Sequence, residues 1–124
     1  MVMDGVGGKA LGICEFYGKY FGALSGAGDE YGIFGDFNDW YILNQWNILA
    51  IRYDEKEFSF WINGKKMGTS SSSILKGDIL YVGGFSNAGT SSVDVNWGYS
   101  NGYYRNLAIY DDALSDEEMA SYEF

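Results

Sequence analysis

Over much of this chain apolar and polar residues alternate at the period of two that sends successive side chains to opposite faces of a strand. In Glu57-Phe58-Ser59-Phe60-Trp61-Ile62 the residues Phe58, Phe60 and Ile62 share one parity, which assigns them to a core face. Residues 11–17 and 20–24 read as strands, and 31–34 with 39–43 read as two short strands joined through Gly35-Asp36-Phe37-Asn38 as a hairpin. The run 46–53 is apolar on both parities, Ile48 and Ala50 against Leu49 and Ile51, as expected of a central strand covered on both sides. Trp46 and Trp61, by their strand positions, are expected in the core or between sheets. Residues 79–82 form a further strand, and Val93-Asp94-Val95 a short one. The last strand, 103–110, should turn Leu107 and Ile109 inward, with Asn106 and Tyr110 on the opposite face.

Turn chemistry separates these runs. Asn63-Gly64 is a strong hairpin signal, because a two-residue type I′ turn needs positive φ at both positions. Asp54-Glu55-Lys56 is a charged turn, and the polar tract 69–73 reads as a surface loop. Gly5, Gly7 and Gly8 weaken the amino end, so regular structure is expected from near Ala10 and residues 1–9 are expected to be poorly ordered. Between Ser86 and Asn101 lies a polar insertion, longer than the median of about 4–6 residues for connections in compact domains. After the last strand, Ser115 and Glu118 match the S-x-x-E capping box, and Asp116 and Glu117 suit the positive end of a helix. One short helix to about Tyr122 follows. With neither an internal repeat nor a shift in composition, residues 1–124 read as a single domain.

The order of these elements resembles a known family. Trp46-Asn47-Ile48-Leu49-Ala50-Ile51-Arg52-Tyr53 leads to Asn63-Gly64-Lys65, then to Leu80-Tyr81-Val82-Gly83-Gly84 and to Leu107-Ala108-Ile109-Tyr110-Asp111-Asp112-Ala113-Leu114-Ser115-Asp116-Glu117-Glu118. This is similar to the laminin-G-like branch of the concanavalin A-like jelly rolls. The resemblance implies an all-β fold, a two-sheet antiparallel jelly-roll sandwich with one short C-terminal helix. Relatives carry one or two further strands before the point where this chain begins; without them a sheet edge would need covering by a neighbouring domain, an oligomer partner or the chain's own tail.

Composition removes several functions. A formal charge of −9 opposes binding to nucleic acid, which draws on clustered Lys and Arg. Lys65 and Lys66 are the one basic pair and read as solvated. No run of about 20 apolar residues is present to insert in a membrane. Residues 1–9 lack the pattern of a signal peptide. Cys14, with Leu11, Ile13 and Phe16 around it, reads as a small buried hydrophobe, and the chain has no His for acid–base work or zinc.

The fold's glucanases place paired carboxylates along one strand as E-x-D-x-x-E, one attacking the sugar while the other protonates the leaving oxygen. No such run occurs here; Glu15 is alone inside a strand. The chain is therefore expected not to be an enzyme, and glycoside hydrolysis is the third-ranked reading. No cofactor is expected beyond a weakly bound rim calcium, for which Asp36, Asn38 and Asp39, or Asp94 with Asn96, are candidates alongside their ordinary turn role. Sugar recognition needs flat aromatic rings for the apolar faces of pyranoses and polar side chains for hydroxyls. Asn87, Trp97, Tyr99, Asn101 and Tyr103 offer these in and beside the insertion, and Asp36, Asn38, Trp40 and Tyr41 in the earlier loop. The favoured reading is a non-catalytic module binding a glycan or protein surface, outside the cell or on a virion. Its rival is a structural or assembly protein of a phage or virus particle.

Trp97, a large ring in a glycine- and serine-bearing loop, generates a first test. If the Ser86 to Tyr103 insertion is the recognition loop, Trp97→Ala weakens ligand binding by about 2 kcal/mol or more with an unchanged melting temperature. A lowered melting temperature with unchanged binding would make Trp97 a structural lid.

Overall fold

A computed structural model describes residues 2–6, 9–16, 20–25, 32–40, 42–54, 57–71, 80–82 and 102–124. The elements run β1 (Val2–Val6), β2 (Lys9–Phe16), β3 (Tyr20–Ser25), β4 (Gly32–Asp36), α1 (Phe37–Trp40), β5 (Leu49–Tyr53), β6 (Glu57–Ile62), β7 (Lys65–Ser71), β8 (Leu80–Val82) and α2 (Asp116–Ala120). Every described strand pair is antiparallel, in one sheet ordered β4-β3-β2-β1-β8 and another ordered β5-β6-β7. The all-β class and antiparallel pairing match the expectation.

The β6 strand carries the core on its even residues. Phe58, Phe60 and Ile62 are buried with Ile13 of β2 and Ile33 of β4, so the two sheets share one apolar cluster. Leu49, Ile51 and Tyr53 of β5 stand opposite Ile62, Phe60 and Phe58 and pack on the same cluster. In the larger sheet the register aligns Val82, Val2, Ile13, Ala23 and Ile33 in a single row across all five strands. Where β7 crosses β4, a Cβ on Gly68 would lie 2.8 Å from Ile33 Cγ2, a separation that leaves no room for a larger residue without movement.

The odd residues of β6 are buried as well. Ser59 and Trp61 face away from the shared cluster, and the Trp61 indole N–H donates to Ser59 Oγ at 2.8 Å, satisfying both polar groups. Arg52 of β5 and Lys66 of β7 flank the Trp61 ring, 5.8 and 5.1 Å from its centroid. Both cations then converge on one carboxylate in the first turn of α2. Arg52 pairs with Asp116 Oδ1 and donates to the Leu114 carbonyl at 3.1 Å, while Lys66 Nζ lies 2.6 Å from Asp116 Oδ2. Lys66 is thus an ion-pair partner, in contrast to the freely solvated role expected for the Lys65–Lys66 pair. The helix itself begins as expected, with both halves of the Ser115–Glu118 capping box formed. Its Met119 is buried, and the Asn63-Gly64 turn is seated beneath it: Asn63 and Gly64 take φ of 50° and 78°, and a Cβ on Gly64 would come within 2.5 Å of the Ala120 carbonyl oxygen.

Six readings are corrected. The amino end enters β1, paired on both sides by β2 and β8, because ladder pairing overrides the weak propensity of Gly5; regular structure starts well before Ala10. Residues 37–40 form a single helical turn, so Asp39 and Trp40 are helical where a strand was expected, and among the described residues there is a second short helix, α1. The strand expected from Trp46 begins at Leu49 and, among the described residues, is an outer strand of its sheet, with β6 in the centre. Thr69 to Ser71, expected in a loop, continue β7. Residues 103–110 are not a strand: Leu107 and Ile109 are 61% and 74% exposed, and Asn106 at φ 56° interrupts the extended run. Trp46, expected in the core, is 52% exposed. The Cys14 and Glu15 side chains, Val93-Asp94-Val95 and the rest of 83–101 lie outside what is described.

Two outcomes follow from this packing. Phe60→Ala is expected to destabilise the domain by about 3–5 kcal/mol in denaturant titration, since a fully buried ring leaves a cavity between the sheets; an unchanged midpoint would contradict the face assignment. The hydrogen bonds from Lys66 and Arg52 hold the Asp116 carboxyl below its ordinary 3.8. A carboxylate whose folded pKa lies below its unfolded one stabilises at higher pH and loses that contribution as pH falls through the folded value. Asp116→Asn should therefore melt below wild type at about pH 6, with the gap closing below about 3.8. A gap independent of pH would rule out the ion-pair origin.

Candidate functional site

Residues 42–47 form a short loop organised by one side chain. Asn47 Nδ2 donates to the carbonyls of Ile42 at 2.7 Å and Gln45 at 3.1 Å, and its Oδ1 accepts the Ile42 N–H at 3.4 Å. Asn63 at the β6–β7 turn secures the same loop: its Nδ2 donates to Asn47 Oδ1 at 3.0 Å, and its Oδ1 accepts the Ile48 N–H at 2.8 Å. Asn44 takes a left-handed φ of 60°, which Asn tolerates better than most residues. Between the pinned positions Gln45 and Asn47 stands Trp46, its ring turned out of the core.

Arg105 lies against that ring, its Cζ 4.0 Å from the Trp46 centroid. At this distance a guanidinium on an indole gains about 0.5–1 kcal/mol at an exposed site. The segment 103–110 is therefore held at Arg105, and again at Tyr110, whose hydroxyl is 2.5 Å from that of Tyr122 with the rings edge to face. Tyr103, two residues before Arg105, is 92% exposed. Trp46 and Arg105 thus present ring surface and a cation side by side, and Ile42 and Leu43 of the same loop and Tyr103 of the Arg105 segment are also exposed.

The residues proposed from sequence divide into three groups. Tyr103 belongs to the exposed Arg105 segment just described. Asp36, Asn38, Asp39 and Trp40 lie together at the end of β4 and in α1. Asp36 Oδ1 accepts the Asn38 N–H at 3.0 Å, the turn role open to such a residue. The Trp40 ring packs on the core near Phe60, centroids 6.3 Å apart, and lies over Gly35. Asn87, Trp97, Tyr99 and Asn101, with Tyr41, Asp94 and Asn96, fall outside the described residues. Among the described residues no group of three or more His, Cys, Asp or Glu gathers as metal ligands, and no helix is long and apolar enough to cross a membrane. Trp46 and Arg105 went unrecognised in the sequence, where 59 positions separate them; the available hint was the turn-forming Asn44-Gln45-Trp46-Asn47, which marks a loop where a strand was assumed.

The chain belongs to the concanavalin A-like lectin/glucanases superfamily: its laminin-G-type family model matches residues 20–120. That superfamily holds both sugar-binding and sugar-cleaving proteins, as its description states. Among solved structures, an S-layer domain-containing protein from Clostridium thermocellum is similar at a TM-score of 0.52 and 20% identity. The match covers 92% of this chain and 56% of that one, so the chain spans a little over half the length of that structure, and the likeness is one of fold. No curated protein matches the chain.

Proposed function

We propose that this domain is a non-catalytic recognition module that binds a glycan or a protein surface through the Trp46–Arg105 surface. The observation that carries the reading is a large ring held outward on a loop pinned by Asn47 and Asn63. An exposed tryptophan on a preorganised loop loses little conformational freedom when a flat partner stacks on it. The superfamily supports a saccharide as that partner, since pyranose faces stack on such rings. The S-layer description of the structural neighbour is in keeping with a setting at a cell or particle surface. For the non-catalytic part, support comes from the sequence, which has no E-x-D-x-x-E run to supply paired carboxylates.

Glycan-array screening followed by calorimetry tests this. Trp46→Ala is expected to weaken binding of the best array ligand by about 1.4 kcal/mol or more, tenfold in Kd, while the melting temperature stays within a degree or two of wild type. Unchanged affinity in that variant would move the site elsewhere, and release of reducing sugar by the purified wild type would end the non-catalytic reading.

A further inference from the structure

The charges around Trp46 narrow the ligand class, an inference that rests on the recognition reading above. Of the described arginines, Arg52 is committed to Asp116 and the Leu114 carbonyl. Arg105 is different: its recorded partner is the face of the Trp46 ring, and among the described residues it makes no hydrogen bond or ion pair. Stacking uses the π face of a guanidinium and leaves its in-plane N–H groups free. Those donors form a fork that fits a carboxylate with two parallel hydrogen bonds. We propose that the Trp46–Arg105 surface binds a carboxylate-bearing saccharide, a uronic-acid glycan, with a sugar face on the exposed part of the Trp46 ring that Arg105 leaves open and the carboxylate on Arg105.

The formal charge of −9 does not forbid this. At physiological salt, exposed charges more than about 8 Å apart are largely screened, so acidic side chains beyond that distance weigh little against a cation in direct contact with the ligand. Ring surface beside the cation favours a sugar over an acidic peptide, whose carboxylates bring no flat apolar face to stack.

The test uses an oligogalacturonate tetramer, the same tetramer after carboxyl reduction, and a glutamate-rich peptide, each titrated by NMR against wild type, Trp46→Ala, Arg105→Gln and Arg105→Lys. The uronate is expected to bind wild type at least tenfold more tightly than its reduced form, with an affinity that falls as salt rises. Arg105→Gln should abolish that preference while keeping the weaker neutral binding, Arg105→Lys should retain part of it, and Trp46→Ala should weaken both sugars. Equal affinity for the acidic and reduced tetramers, with Trp46→Ala still weakening both, overturns the uronate assignment and leaves the recognition reading standing. Peptide binding as tight as the uronate overturns the saccharide class. Sugar binding indifferent to Trp46→Ala, or no binding of any sugar probe, overturns both.

Discussion

Burial of β6 on both faces is the constraint on which the rest of the molecule depends. Phe58, Phe60 and Ile62 on one side join the two sheets, and Ser59 with Trp61 on the other must be covered in turn. A buried indole beside polar strands is tolerated only when its N–H is satisfied and its faces are occupied. Ser59 meets the first requirement, and the stems and cations of Arg52 and Lys66 meet the second. Asp116 pairs with both cations, offsetting one of their two charges, and so brings the C-terminal helix onto the sheet. One carboxylate thereby links β5, β7 and α2 around the central strand.

The same hairpin that completes β6 also places the candidate site. Asn63 takes a left-handed backbone to turn the chain, and its side chain reaches across to Asn47 and Ile48. Folding the core therefore fixes the loop that holds Trp46 outward, and the recognition surface needs little ordering of its own. Arg105 and the Tyr110–Tyr122 contact hold the 103–110 segment at two points, which lets it lie over the surface without joining a ladder.

Features written in short stretches of sequence were legible. The Asn63-Gly64 turn, the Ser115–Glu118 capping box and the parity of Phe58, Phe60 and Ile62 each depend on neighbours a few positions away, and their order led to the superfamily that residues 20–120 match. Features set by distant partners were not. Gly5 reads as a poor strand former, yet β1 gains two neighbours from β2 and β8. Alternation in 103–110 is real, but a left-handed Asn106 and the anchors at Arg105 and Tyr110 defeat it. The period of β5, extended three residues too early, places Trp46 in the core, across a loop that Asn47 organises through its side chain. Tyr103 was found for its ring alone; nothing local announced the guanidinium stacked nearby on Trp46.

The central claim is that recognition is centred on the Trp46 loop and the Arg105 segment. An amide chemical-shift map, recorded as the tightest array glycan is added, tests it most directly. The account predicts that the largest shifts fall at residues 42–47 and 103–106, with β6 and α2 nearly unmoved. Shifts concentrated instead at residues 36–41 or 86–101, with the Trp46 indole resonance unchanged, would contradict it.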